Sequence, residues 1–200
     1  MSLSYNANSP AAGLDEAGAG PLCGDLFVAA VVLDPARPIE GLNDSKKLTE
    51  RRRKLLFPLI QERALCWSIV RVSPEEIDQI NIFQARMRGF ERAAAQLTVP
   101  VSELLIDGNK IPPGLPAGIP CRAIVGGDAL EAAISAASIL AKVARDQSME
   151  EAARLYPGYW FEKHKGYGTA LHLERLSALG PCPIHRRSFR PVAQLLPPSK

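Results

Sequence analysis

The stretch GLDEAGAGPLCGDLFVAAVVL, Gly13–Leu33, decides the fold class. It opens on a short apolar run ending at Asp15, passes through glycine-rich Ala17–Pro21, and then becomes an unbroken apolar run from Leu26 to Leu33. Two runs of strand length with turn residues and no helix between them predict an antiparallel pair. Working outward, further runs of strand length occur at Cys66–Val72, Glu103–Asp107 and Arg122–Val125, with helical periodicity between them. Thr49 precedes a stretch that places Leu55, Leu56, Leu59 and Ile60 on one face. Ser73-Pro74-Glu75-Glu76 reads as an N-cap, a proline at the first helical position and a glutamate closing a capping box, and a further helix runs through Ile82, Phe83, Phe90, Ala94 and Leu97. Asp128 followed by Glu131 resembles another capping-box start, ahead of an apolar stripe at Leu130, Ile134, Ala137, Leu140, Ala141 and Ala144. The layout is α/β. The helix before Glu103 supplies the crossover that a strand parallel to the first one requires. Pro112–Gly118 reads as a rigid surface loop, and the segment from Tyr156 onward as a small helical extension. We therefore expect one compact unit, with an α/β domain over residues 12–155 and a C-terminal helical extension over 156–200.

With 46% hydrophobic and 22% charged residues among 200, wholesale disorder is excluded. The longest apolar run, Leu26–Leu33, is far short of the roughly 20 residues that span a bilayer, and the first thirteen residues lack the charge and apolar core of a targeting segment. The expectation is a cytoplasmic protein with no membrane segment. Cys23, Cys66, Cys121 and Cys182 show no CxxC pair and no histidine at zinc spacing, so reduced thiols are expected rather than a zinc site. The net charge of +3 is unevenly spread: between Phe161 and Arg190, six Lys/Arg face two acids, and all three histidines lie there. That segment is a candidate polyanion surface, with a solvated helical face as the plainer alternative.

The chemistry points to carboxylates. Asp15 and Glu16 sit where the first strand gives way to glycines, and Asp107 where Leu104-Leu105-Ile106 ends in Gly108-Asn109. Sites in α/β sheets are built at such strand ends. If the two strands lie centrally and in parallel, Asp15 and Asp107 approach one another, and divalent cations would neutralise the charges that meet there. Oxygen-only ligands favour Mg2+ or Mn2+ over zinc. Asp128 is open between an N-cap and a metal ligand. Neighbouring residues of a regular strand point to opposite faces, so Asp15 and Glu16 reach one ion only if the backbone distorts. These residues alone suggest a hydrolase or phosphoryl-transfer enzyme with an acidic metal site, and leave its substrate open.

Six blocks then carry a resemblance. GLDEAGAGPL (Gly13–Leu22), LNDSKKLT (Leu42–Thr49), LLIDGNKIP (Leu104–Pro112), ISAASILAKVARD (Ile134–Asp146), HKGYGT (His164–Thr169) and GPCPIHRRSF (Gly180–Phe189) resemble, in order, the blocks of the ribonuclease HII family. The chain has no room ahead of its DEAG block for the N-terminal domain of type HIII enzymes, and type HI enzymes lack the adjacent Asp-Glu pair. The resemblance implies a ribonuclease H-like mixed sheet flanked by helices, with residues 156–200 as a substrate-binding extension. It implies an endonuclease that hydrolyses the RNA strand of RNA/DNA hybrids and cuts 5' of ribonucleotides embedded in duplex DNA, as a monomer. Asp15, Glu16, Asp107 and Asp128 match the family's metal-binding carboxylates, for two-metal-ion hydrolysis leaving 3'-hydroxyl and 5'-phosphate ends. Gly18, Ala19, Gly20 and Tyr167 match the 2'-OH-reading positions, Ser45, Lys46, Lys47 and Asn109 the positions contacting the nucleic-acid backbone, and Lys142 the helix near the site. The chain departs from the family at Ala19, where arginine is usual, and at Asp25, where proline is common. His164 and His185 read as structural. A nucleic-acid binding module with weakened or lost turnover is the rival reading, with Ala19 its supporting feature; a Mg2+-dependent enzyme acting on small phosphate esters is a third.

Overall fold

The computed structural model describes Leu3, Ser4 and residues 6–197. A five-stranded mixed sheet has the order β3-β2-β1-β4-β5, with β1 (Ala12–Ala17) central, β2 (Leu26–Val32) and β3 (Cys66–Val72) to one side, and β4 (Leu104–Asp107) and β5 (Cys121–Ile124) to the other. β1 pairs antiparallel with β2 and parallel with β4, so both pairings expected from the sequence are present. The crossover is α2 (Pro74–Ala95), whose Phe90 packs on the face built from Leu14, Val28, Val72 and Ile106. The opposite face of Phe27, Ala29 and Val31 packs on α1 (Glu50–Arg63) and α4 (Ala132–Leu155). Cover on both faces is why every residue of β2 is buried and apolar instead of alternating. Helix α4 approaches β1 so closely that a Cβ on Gly13 would overlap the backbone of Ala133 and Ile134.

Local signals mark the helix ends, with corrections. Thr49 and Ser73 are N-caps, accepting from the N–H groups of Arg52 and Glu76 at 3.2 and 3.3 Å. Glu76 does not close a capping box: its carboxylate takes a bidentate, charge-assisted pair from Arg92 at 2.7 and 2.8 Å, a stronger partner than a backbone N–H. The two helices read over Ser73–Leu97 run together as α2 across a break at Asn81 (φ 65°, ψ 163°), whose side chain caps the second half through Gln84 N–H. Leu55 is exposed, since Leu56 and Ile60 carry the buried i, i+4 contact.

Asp128 is not an N-cap. A left-handed Gly126 starts the short α3 (Gly127–Leu130), Asp128 lies inside it with no capping bond, and Glu131 precedes α4 in extended conformation. The strand β1 also runs two residues further than expected, through Glu16 to Ala17. Beyond α4 come α5 (Phe161–His164), α6 (Ala170–Leu179) and α7 (Arg190–Ala193). Among the described residues no helix is long and apolar enough to cross a membrane.

Candidate active site

Because β1 and β4 are parallel neighbours, their C-terminal ends meet at one edge of the sheet. Asp15 and Glu16 lie at the end of β1 and Asp107 is the last residue of β4. Asp107 Oδ1 accepts the Gly127 N–H at 2.8 Å, which ties the β5–α3 turn to the strand and brings Asp128, the next residue, alongside. The Asp-Glu pair is undistorted strand, so its side chains leave on opposite faces. Asp15 faces Ser138 of α4, while Glu16 Oε1 pairs with Arg86 of α2 at 2.8 Å. The pair straddles the sheet edge, and Asp107 acts on both members.

Three of the four carboxyls are held above the usual carboxylate range. Burial pushes Asp15 well up, reinforced by Glu16 and Asp107 and opposed by Ser138 and the Glu16 N–H. Burial also raises Glu16, against the charge and hydrogen bond of Arg86. Asp128 is raised by burial, then by Asp44 and Asp107. Glu16 Oε2 is buried with no hydrogen-bond partner. The donor set is all oxygen, short of positive charge and in part unpartnered, which fits a hard divalent cation. Lys46 supplies some counter-charge: against its own partial burial, Asp128, Asp15, Asp44 and Asp107 raise its pKa, and its ammonium lies 4.0 Å from Asp128. Beside the acids opens a cleft of about 320 Å³, lined by Asp15, Glu16, the Gly18-Ala19-Gly20 loop, Ser45, Lys46, Ser138, Lys142 and Tyr167.

A family model for ribonuclease HII matches residues 12–192, which takes in every residue of this site. The chain belongs to the ribonuclease HII family. It is accordingly a metal-dependent endoribonuclease of ribonuclease H type, acting on RNA/DNA hybrids. The ribonuclease HII of Marinomonas sp. (strain MWYL1) is 57% identical over 185 residues, covering 92% of each chain. The crystal structure of ribonuclease H2 from Pyrococcus horikoshii OT3 superposes with a TM-score of 0.79 at 28% identity, covering 92% of this chain and 96% of that one. The ribonuclease HII of Archaeoglobus fulgidus, taken from its complex with PCNA, gives 0.69 at 26% identity, covering 88% and 93%.

In this chain most positions singled out from sequence share the cleft, with differences. Ser45 is buried and its hydroxyl is committed to Ser138 Oγ at 2.8 Å, so it forms cleft wall rather than an exposed contact. Lys47 and Asn109 are exposed and lie outside the lining. The basic stretch is only in part a surface. Arg186 is fully buried, Lys165 pairs with Glu150 at 3.1 Å and Arg175 donates to Gly158 O at 2.7 Å, leaving Lys163, Arg187 and Arg190 exposed. Burial of neighbouring loops consumed those donors. Arg86 lies outside every block read from the sequence, and Asp44, Ser138 and Arg145 fall inside the blocks without being marked as site residues. The one available hint was Glu16, a carboxylate in an apolar context that needed a counter-ion.

The fold also gathers what sequence spacing did not: among the described residues, Cys23, His172 and His185 have ligand atoms within 4.8 Å of one another. Their hydrogen bonds read as a closed clasp, not an ion cage. His172 Nδ1–H donates to Tyr167 O at 2.9 Å, which leaves its Nε2 as acceptor. Cys182 N–H donates to His185 Nδ1 at 3.0 Å, so His185 carries its proton on Nε2 and gives it to His172 Nε2 at 3.1 Å. A cation on His185 Nε2 would need a proton on Nδ1, where an N–H already points. The clasp requires neutral rings. Burial, then His172, pushes His185 down to about 4, and His172 and His164 are lowered by burial as well. A depressed histidine contributes stability that is fully present above its unfolded pKa near 6.5 and is lost as pH falls through the folded value. For His185 alone the loss by pH 5 is about 2 kcal/mol. Melting curves between pH 7.5 and 5 should show this slope, and His185→Gln should flatten it; parallel curves would clear His185 of the effect.

Proposed function

We propose that the chain cuts both the RNA strand of RNA/DNA hybrids and the 5' side of ribonucleotides embedded in duplex DNA, leaving 3'-hydroxyl and 5'-phosphate ends. The observation that carries the reading is the convergence of Asp15, Glu16 and Asp107 at the ends of β1 and β4, with Asp128 of α3 alongside, beside a cleft walled by Gly18-Ala19-Gly20 and Tyr167. Asp15, Glu16, Asp107 and Asp128 are the residues to hold two Mg2+ or Mn2+ ions, whose chemistry when bound is to offset the charge that builds on the attacking and leaving oxygens during in-line displacement. The chain's own groups do the rest. Asp15 and Glu16, on opposite faces, bracket the reacting phosphate, with Arg86 holding Glu16 and the Glu16 N–H donating to Asp15 Oδ1 at 2.7 Å. Tyr167, 43% exposed at the cleft mouth, presents a ring to a sugar. Lys142, held by Asp146 at 2.8 Å, and exposed Lys46 meet backbone phosphates, which positions the duplex without reading bases.

A DNA duplex carrying one ribonucleotide and a uniform RNA/DNA hybrid, each incubated with Mg2+ or Mn2+ and resolved on a sequencing gel, test the reading. A single cut 5' of the ribonucleotide and distributed cuts in the hybrid are expected. Binding without any cut would favour the rival reading, a module that has lost turnover, for which Ala19 speaks. Lys46→Ala combined with Lys47→Ala should weaken duplex binding and lower the slope of log K against log salt by about 0.9 for each phosphate contact removed, without moving the cut. An unchanged slope would put both lysines off the binding surface.

A further inference from the structure

Arg186 is completely buried, yet among the described residues it pairs with no carboxylate. Its guanidinium instead donates five hydrogen bonds to four carbonyls of one loop: Nη2 to Gly18 O at 2.7 Å and Gly24 O at 2.8 Å, Nη1 to Ala19 O at 3.1 Å and Pro21 O at 2.9 Å, and Nε to Gly24 O at 3.0 Å. Burying a cation without a counter-ion is costly, so this arrangement constrains the loop tightly. The constraint has a direction. In a trans peptide unit the C=O and the N–H that follows it point opposite ways, and among the described residues no peptide bond is cis. With the carbonyls of Gly18 and Ala19 turned inward onto Arg186, the N–H groups of Ala19 and Gly20 are turned outward, on the side where both residues line the cleft. Among the described residues neither amide has an intramolecular acceptor, whereas Leu22 and Gly24 further along donate inward to Gly166 O and Ile184 O. A carbonyl that accepts a charged hydrogen bond also polarises its peptide unit and strengthens the N–H at its other end.

Arg145 backs the same loop. It is buried, donates to Lys165 O at 2.7 Å, lies 5.5 Å from the Tyr167 ring and fills the space a side chain on Gly18 would need.

We propose that Arg186 is a positioning residue for ribose recognition: by holding the carbonyls of Gly18 and Ala19 it aims the N–H groups of Ala19 and Gly20 at the 2'-OH and adjoining phosphate, so that a loop with only a methyl group at residue 19 still reads RNA through its main chain. The inference rests on the function proposed above. Lysine, with three donors on a single nitrogen, keeps the charge but not the planar fork that reaches four carbonyls.

The test compares wild type, Arg186→Lys and Arg186→Met on a duplex with one ribonucleotide and on a uniform RNA/DNA hybrid, with kcat and KM resolved for each. Loss of aimed donors is expected to lower kcat/KM of Arg186→Met on the single ribonucleotide by about 100-fold. The hybrid should lose less, because a mis-aimed loop finds a 2'-OH at every register, and Arg186→Lys should fall between. Equal losses on the two substrates, the mark of a general structural role, would overturn the proposal, as would no loss. If Arg186→Met fails to fold by circular dichroism, the substrate ratio of Arg186→Lys decides by the same criterion. A wild type that cuts neither substrate would instead overturn the underlying function, and this inference with it.

Discussion

Asp15→Asn is expected to lower cleavage at saturating Mg2+ or Mn2+ by at least about 10²- to 10³-fold, the scale on which removing one aimed electrostatic group from an active site acts. The variant should remain folded. The substitution is isosteric, and a buried carboxyl whose pKa is driven up by burial, Glu16 and Asp107 destabilises the metal-free protein when ionised. Folded and unfolded forms differ in proton affinity such that this cost appears as pH rises above the ordinary carboxylate pKa, so at neutral pH the metal-free variant should melt no lower than wild type. Asp107→Asn should lose activity to a similar degree while its amide oxygen goes on accepting the Gly127 N–H that holds the β5–α3 turn. Single-turnover cleavage assays beside thermal melts check both. Near-normal turnover in the two variants would remove these acids from the mechanism.

Asp128→Asn separates two roles that sequence alone leaves open. As an N-cap, asparagine would serve as well as aspartate and nothing would change. In the fold, however, Gly126 occupies the cap position and the Asp128 carboxyl faces Asp44, Asp107 and Lys46. The expected outcome is a metal-free protein that melts no lower than wild type at neutral pH, because burial already holds the Asp128 carboxyl above the usual carboxylate range. Activity should fall by about 10²-fold through the lost acidic ligand. The measurement is kcat/KM against metal concentration, with the apparent metal affinity falling too. Wild-type activity at limiting metal would return Asp128 to a purely local role.

The strands and the starts of α1 and α2 were legible because their causes are local. An apolar run such as Leu26–Leu33 has to be covered, and Thr49 and Ser73 satisfy N–H groups three residues away. Capping boxes at Glu76 and Asp128 failed where a distant partner offered more: Arg92 outcompetes a backbone N–H for Glu76, and the acid cluster claims Asp128. Asp15, Glu16 and Asp107 stood out because carboxylates at the ends of apolar strands are conspicuous, while Asp128 entered the set, and the chemistry was named, only through the resemblance of the six sequence blocks.

By itself, then, the sequence determined the α/β layout, the antiparallel β1–β2 pair, the parallel crossover to β4 and the acids at their ends, all consequences of periodicity and turn chemistry within a few residues. Only the tertiary structure decided how those acids are held. Arg86 reaches Glu16, Ser138 faces Asp15, His185 meets His172, and Arg186 grips Gly18 across 168 residues of chain. Such partners carry no local pattern: a buried arginine and a solvated one read alike until packing removes water, and the desolvated charge must then take whichever carbonyls or carboxylates the fold has brought within reach.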